Sequence, residues 1–112
     1  MAYAEILIAL ADPTRRSILE DLRNGPLPVS RLAAMRPVSR PAVSQHLKVL
    51  ESAGLVSAEA RGTARLYSVT RDGLAPLQAY LDEFWGDVLH AFSQEVHKQM
   101  EDDNARSRDQ DN

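Results

Sequence analysis

A mainly α-helical chain with one small β-hairpin is what three features of this sequence predict. Apolar residues recur at helical spacing in several segments, most of them opened by a capping residue or closed by a glycine. Between residues 55 and 69 that spacing gives way to two short runs of strand character around Arg61-Gly62-Thr63-Ala64. From about Asp72 the helical spacing resumes and persists to Met100. The chain has 112 residues, 44% of them hydrophobic. That length suits one domain, which buries roughly two thirds of its unfolded surface.

Residues 3–11, YAEILIALA, form a short apolar helix. Asp12 followed by Pro13 supplies an N-cap and a first-turn proline for a second helix, whose inward face is Ile18, Leu19 and Leu22. Asn24-Gly25-Pro26 stops it. A third helix covers about Val29 to Met35, with Val29, Leu32 and Ala33 facing inward, and Arg36-Pro37-Val38 is a tight connection. The fourth helix begins after the N-cap Ser39, carries Pro41 in its first turn, and ends at Gly54 in the left-handed C-cap position. Val43, Leu47 and Leu50 stand at i, i+4 and i+7 and make its inward stripe, with Ala42 and His46 at the flanks.

Leu55–Ala60 and Arg65–Val69 then pair as a hairpin with a basic tip. In the last helix Leu77, Leu81, Phe84, Val88, Phe92 and Val96 keep one stripe, which Tyr80, Trp85, Leu89 and Met100 widen. A stripe that broad exceeds the need of one small core, so part of it is expected to bury against another chain. Residues 102–112, DDNARSRDQDN, offer nothing to a core and are expected to form a disordered acidic tail, leaving residues 1–101 as the folded domain.

Composition removes several function classes. There is no cysteine, hence no disulfide, thiolate metal site or cysteine nucleophile. No run approaches the ~20 apolar residues of a membrane span, and no signal peptide is visible, so a soluble cytoplasmic protein with no membrane partner is expected. No nucleophile with a base, carboxylate pair or glycine-rich phosphate loop stands out, so an enzyme is not expected. The net charge of −3 conceals an asymmetry. Residues 31–71 hold seven basic and two acidic side chains, residues 72–112 three and ten. A basic middle beside an acidic C-terminal third suits a localised surface for a polyanion.

Two helices separated by a short turn and followed by a basic-tipped hairpin constitute a helix-turn-helix with a wing. With Val43, Leu47 and Leu50 facing inward, Arg40, Pro41, Ser44, Gln45 and Lys48 are left on the opposite surface of the fourth helix, near the half that enters the major groove in this motif. Gln45 can pair bidentately with adenine, and Arg40 can pair with guanine or grip a phosphate. Ser44 can bond to either, and Pro41 can touch a thymine methyl. Lys48, with Arg61 and Arg65 beside Thr63 in the wing, is better placed for phosphates.

LADPTRRSILEDLRNGPLPVSRLA (10–33), SRPAVSQHLKVLESAGLV (39–56) and ARGTARLYSV (60–69) together resemble the ArsR family of winged-helix transcriptional regulators, over roughly residues 3–100. PVSRPAVSQHLKVLE is similar to the branch without obvious metal ligands. The resemblance implies a homodimer built on the first and last helices, helix 40–53 in the major groove of double-stranded DNA, and repression of nearby genes. It implies recognition positions at Ser39, Arg40, Ser44, Gln45, His46 and Lys48. On the same ground the interface falls on Ile6 and Leu7 of the first helix and on Leu81, Phe84, Trp85, Val88, Leu89 and Phe92 of the last. Two departures stand out: Pro28 occupies a position where the family usually has a Ser or Thr cap, and Arg36 replaces a residue that is often apolar, which would set one more cation near the DNA.

Family members that respond to metals keep the alternative of a metal-responsive repressor in view. Asp87, His90, His97 and Glu101 lie on the last helix, but their spacing differs from the family's ligand pattern, so no metal site and no cofactor is assigned. A second alternative is a winged helix that binds protein. Arg, Ser, Gln and Lys on the recognition face argue against it, because a protein-binding version would expose apolar residues there. Trp85 and Phe92 fit core or dimer interface better than an effector pocket, and the sequence names no effector.

Overall fold

The computed structural model describes residues 2–110, with side chains through residue 105. Its elements are α1 (Ala2–Ala11), α2 (Pro13–Asp21), a 3-10 turn (Leu22–Asn24), β1 (Leu27–Pro28), α3 (Val29–Ala34), α4 (Arg40–Ser52), β2 (Val56–Arg61), β3 (Ala64–Val69) and α5 (Ala75–Gln110). The chain divides into two compact units, with the boundary between Gln78 and Ala79.

In the first unit the core is built from Ile6 and Ala9 of α1, Ile18 and Leu22, Leu32 of α3, Val43, Leu47 and Leu50 of α4, and Leu55, Val56 and Tyr67 of the sheet. Leu77, in the first turn of α5, packs against this cluster. The α4 stripe is therefore buried as its spacing predicts. On α1 the outcome differs from expectation at one position. Ile6, expected at a dimer interface, is only 1% exposed and belongs to the chain's own core, whereas Leu7 and Ile8 stay outside. Residues 6, 9 and 10 share one helical face, and that face is the one turned inward.

The helix ends follow local chemistry. Asp12 caps α2 with its Oδ1, which accepts from the N–H groups of Thr14 (2.8 Å) and Arg15 (3.1 Å). The next two arginines turn back on α1. Arg15 donates to the carbonyls of Ala9 and Ile8, and Arg16 to those of Leu10 and Ala11. These carbonyls lie in the last turn of α1, where no intrahelical donor remains for them and cations are favoured. At the end of α4, Gly54 takes φ 79°, the Leu55 N–H donates to Leu50 O and the Gly54 N–H to Glu51 O. This is the Schellman arrangement, with buried Leu50 and Leu55 as its apolar pair.

The Arg15 N–H is the main reason that the Asp12 carboxyl titrates below its ordinary value of 3.8, and Thr14, the Arg15 guanidinium and His46 act in the same direction against partial desolvation. A lowered folded-state value means that the charged cap stabilises the native state above pH 3.8 and that this contribution is lost as pH falls through the folded value. Asp12→Asn keeps a capping oxygen without the charge. Thermal unfolding of the two proteins from pH 7 to pH 3 should show a constant advantage for Asp12 at neutral pH and a shrinking one below pH 3.8. An advantage that stays constant to pH 3 would contradict this account.

The sheet is antiparallel in the order β1-β3-β2. The hairpin turn is tighter than the sequence suggests: Arg61 pairs with Ala64, so only Gly62 and Thr63 remain in the turn. Gly62, at φ 60°, occupies the first of those positions, where a two-residue hairpin turn needs a positive φ. The strand β1 is a finding of the structure. Leu27 pairs with Tyr67 and Pro28 with Leu66, which places Pro28 on an edge strand that tolerates a missing N–H. Pro28 also precedes α3 without a side-chain cap, and the helix starts at Val29 as expected.

The second unit is the remainder of α5. The helix runs through 102–110, where the sequence suggests a tail without regular structure, while residues 111 and 112 lie outside the described residues. A helix already nucleated extends at one hydrogen bond per residue and needs no core for its last turns. Phe84, Trp85, Leu89, Phe92 and Met100 are each at least half exposed on this helix. Phe84 meets Tyr80 in a stacked pair and Trp85 edge-on. Among the described residues no helix is long and apolar enough to cross a membrane.

Candidate nucleic-acid interface

Helix α4 is held by Ser39, whose Oγ accepts from the Ala42 N–H at 3.2 Å, and by Pro41 in its first turn. With Val43, Leu47 and Leu50 fully buried, the exposed residues from the start of the helix to Lys48 are Arg40, Pro41, Ser44, Gln45 and Lys48, together with the cap Ser39. They form two flanks. Arg40 and Ser44 join Thr63, Ala64, Arg65 and Tyr67 of the wing, with Pro28, Val29 and Ser30, around a polar groove of about 480 Å³. Gln45 and Lys48 lie on the other flank, beside Glu5 and Ile8 of α1, in an open depression of about 430 Å³.

The groove thus brings together four of the residues singled out from the sequence and adds two, Ser30 and Tyr67, that reasoning from sequence passed over. Ser30 is an exposed hydroxyl at the start of α3, brought to the wing because β1 pairs with β3. Tyr67 is nearly buried, and its ring carries the Arg65 guanidinium at 5.8 Å from the ring centroid. A cation held over a ring face loses little further freedom when it meets an anion. The strand alternation of 65 and 67 was the available signal, since residues two apart share a face. Arg61 is exposed at the end of β2 but does not line the groove.

His46 and Arg36 differ from the exposed set. His46 is half-buried, and its charge is among the weaker influences lowering the Asp12 carboxyl. Arg36, expected to set one more cation near the DNA, instead has a side chain only 8% exposed and paired with Asp21 of α2. On α5, His90 shares a 3.2 Å contact with Gln94, and the described residues contain no group of three or more His, Asp or Glu side chains arranged to hold a metal.

Residues 12–58 match the family described as bacterial regulatory protein, arsR family. The chain is 51% identical over 94 residues to the HTH-type transcriptional regulator Rv2034 of Mycobacterium tuberculosis, covering 84% of this chain and 88% of that protein. An ArsR-like transcriptional regulator from Rhodococcus sp. RHA1 superimposes with a TM-score of 0.71 at 32% identity, over 83% of this chain and 91% of that one. The homodimeric winged helix-turn-helix DNA-binding domain of Mb0332 from Mycobacterium bovis gives 0.62 at 29% identity, over 77% and 80%.

Proposed function

The chain belongs to the ArsR family of winged helix-turn-helix transcriptional regulators, and from that premise we propose that it works as a homodimeric repressor at an inverted-repeat operator. The observation that carries the reading is the exposed row Arg40, Pro41, Ser44, Gln45 and Lys48, fixed opposite a fully buried stripe and continued across a groove by Thr63 and Arg65. A helix so anchored can enter the major groove while the wing lies on flanking phosphates. In a two-fold dimer the two recognition helices reach successive major grooves about 34 Å apart. Occupying such a site near a promoter excludes polymerase, hence repression.

The division of labour follows from residue type. Gln45 reads a base edge from one flank of α4, and Ser44 and Arg40 do so from the other. Arg65, Arg61 and Lys48 neutralise phosphates, with Ser39 and Thr63 available as hydroxyl donors. Replacing Gln45 by Ala should cost about 1–3 kcal/mol at the operator and relax selectivity at one base pair. Replacing Arg65 by Gln should weaken binding to every sequence and flatten the dependence of log K on log salt by about one. Titrating both variants against operator and random DNA checks this. Identical behaviour of the two would refute the division into base readers and phosphate clamps.

The test of the function itself is retention of fragmented genomic DNA by the purified protein at ~150 mM salt against random competitor, which suppresses purely electrostatic binding. Enrichment of a short inverted repeat is the expected result. If folded, dimeric protein enriches nothing, the reading fails and a protein partner for the basic face takes precedence.

A further inference from the structure

The connection from α3 to the recognition helix spans residues 35–39, and one of its side chains turns back into the protein. The Arg36 guanidinium donates to the carbonyl of Leu32 in α3, to Ser17 Oγ of α2 at 3.1 Å, and to Asp21 Oδ2 at the end of α2. Its side chain is 8% exposed and that of Asp21 26%. The only other ion pair among the described residues, Arg15–Asp12, is local and longer at 3.9 Å. One arginine therefore ties the turn to both α2 and α3.

We propose that Arg36 and Asp21 form a positioning clamp that fixes where α4 starts relative to α2, so that base selectivity depends on a pair that touches no DNA. This rests on the DNA-binding reading above. The buried stripe Val43, Leu47 and Leu50 anchors α4 by apolar contact, which is non-directional and leaves small rotations of the helix inexpensive. Hydrogen bonds are directional, and a planar guanidinium holds its donors in a rigid fork wide enough to meet a carbonyl, a hydroxyl and a carboxylate from two helices together, whereas a lysine ammonium is a compact point charge without that fork. Arg36 lies four residues before Arg40, so a shift of the turn moves Arg40, Ser44 and Gln45 together. Phosphate contacts tolerate such a shift, because long cationic side chains follow it. Bidentate base contacts do not.

The charges of the two residues make the proposal sharp. A purely electrostatic account predicts opposite effects: Asp21→Asn removes a negative charge and should strengthen binding to all DNA, whereas Arg36→Gln should weaken it. The clamp predicts the same effect from both. It also predicts that Arg36→Lys, which keeps the charge and loses the fork, behaves like Arg36→Gln.

The experiment measures the full-length wild type and the three variants on the inverted-repeat duplex recovered from genomic selection and on a random duplex of equal length. Titrations run across salt at a temperature well below the melting point of the least stable variant, with folding checked by circular dichroism. In all three variants the preference for the repeat over random DNA should fall about tenfold, the size of one lost base contact, with random binding and its salt slope kept. Two results would overturn the clamp. One is an unchanged preference accompanied only by lower melting points, which makes the pair a stabilising contact. The other is opposite shifts for Asp21→Asn and Arg36→Gln, with a slope about one smaller for the latter, which makes Arg36 a phosphate contact. A wild type with no preference for the repeat would instead overturn the DNA-binding reading, a failure distinguishable from either.

Discussion

Leu47→Ala is expected to destabilise the protein by about 2–5 kcal/mol, the usual cost of removing a buried leucine side chain whose surroundings relax only in part. Leu47 is fully buried in the middle of the α4 stripe, and the same cluster holds Ile18, Leu22 and Leu32 from the helices before it. Its loss therefore leaves a void where the two helices of the helix-turn-helix meet their support. Urea unfolding followed by circular dichroism at fixed protein concentration measures it, since a dimer's apparent stability depends on concentration. Ser44→Ala, three residues earlier and exposed, is the companion: stability within about 0.5 kcal/mol of wild type, with weakened operator binding. Equal destabilisation by both would mean that α4 does not divide into a buried and a reading face.

Phe92→Asp is expected to convert a dimer into monomers and to weaken operator binding about 10²–10⁴-fold, the gain that joining two half-site contacts supplies. Phe92 is 67% exposed on α5, with Leu89 at 60% and Trp85 at 51% along the same helix. A contiguous apolar surface of that kind marks an interaction site, and a second copy of the chain is the occupant that the family membership supports. An aspartate introduced there lies in water in the monomer and becomes an unpaired buried charge in the dimer, so the dimer alone is penalised. Sedimentation velocity reads the mass, and titration of the operator reads the affinity. A variant that remains dimeric would move the interface off this stripe. The exposed Leu7 and Ile8 of α1 would then be the next positions to change, in place of the buried Ile6.

The features legible in the chain before folding are those that a few neighbouring residues settle. Asp12-Pro13, Ser39-Arg40-Pro41, Gly54 and Gly62 each set a helix start, a helix end or a turn through bonds made within about five residues, and the structure has them there. Val43, Leu47 and Leu50 could be assigned to the core because α4 is polar on its other side, which leaves one solution for the helix rotation. The reading face followed by subtraction. Whatever lacked such a local signature was settled only by long-range packing. Helix α1 is apolar almost all round, so its spacing did not choose between Ile6 and Ile8, and packing on the neighbouring elements turned Ile6 inward. The two residues of β1 are too few for any periodicity, and one is a proline; they become a strand only because β3, some forty residues later, supplies the partners. The groove with Ser30 and Tyr67 exists for that same reason. Arg36 looks in sequence like one more surface cation, and its role depends on Asp21 and Ser17, fifteen and nineteen residues away, which chain folding alone brings within reach of one guanidinium.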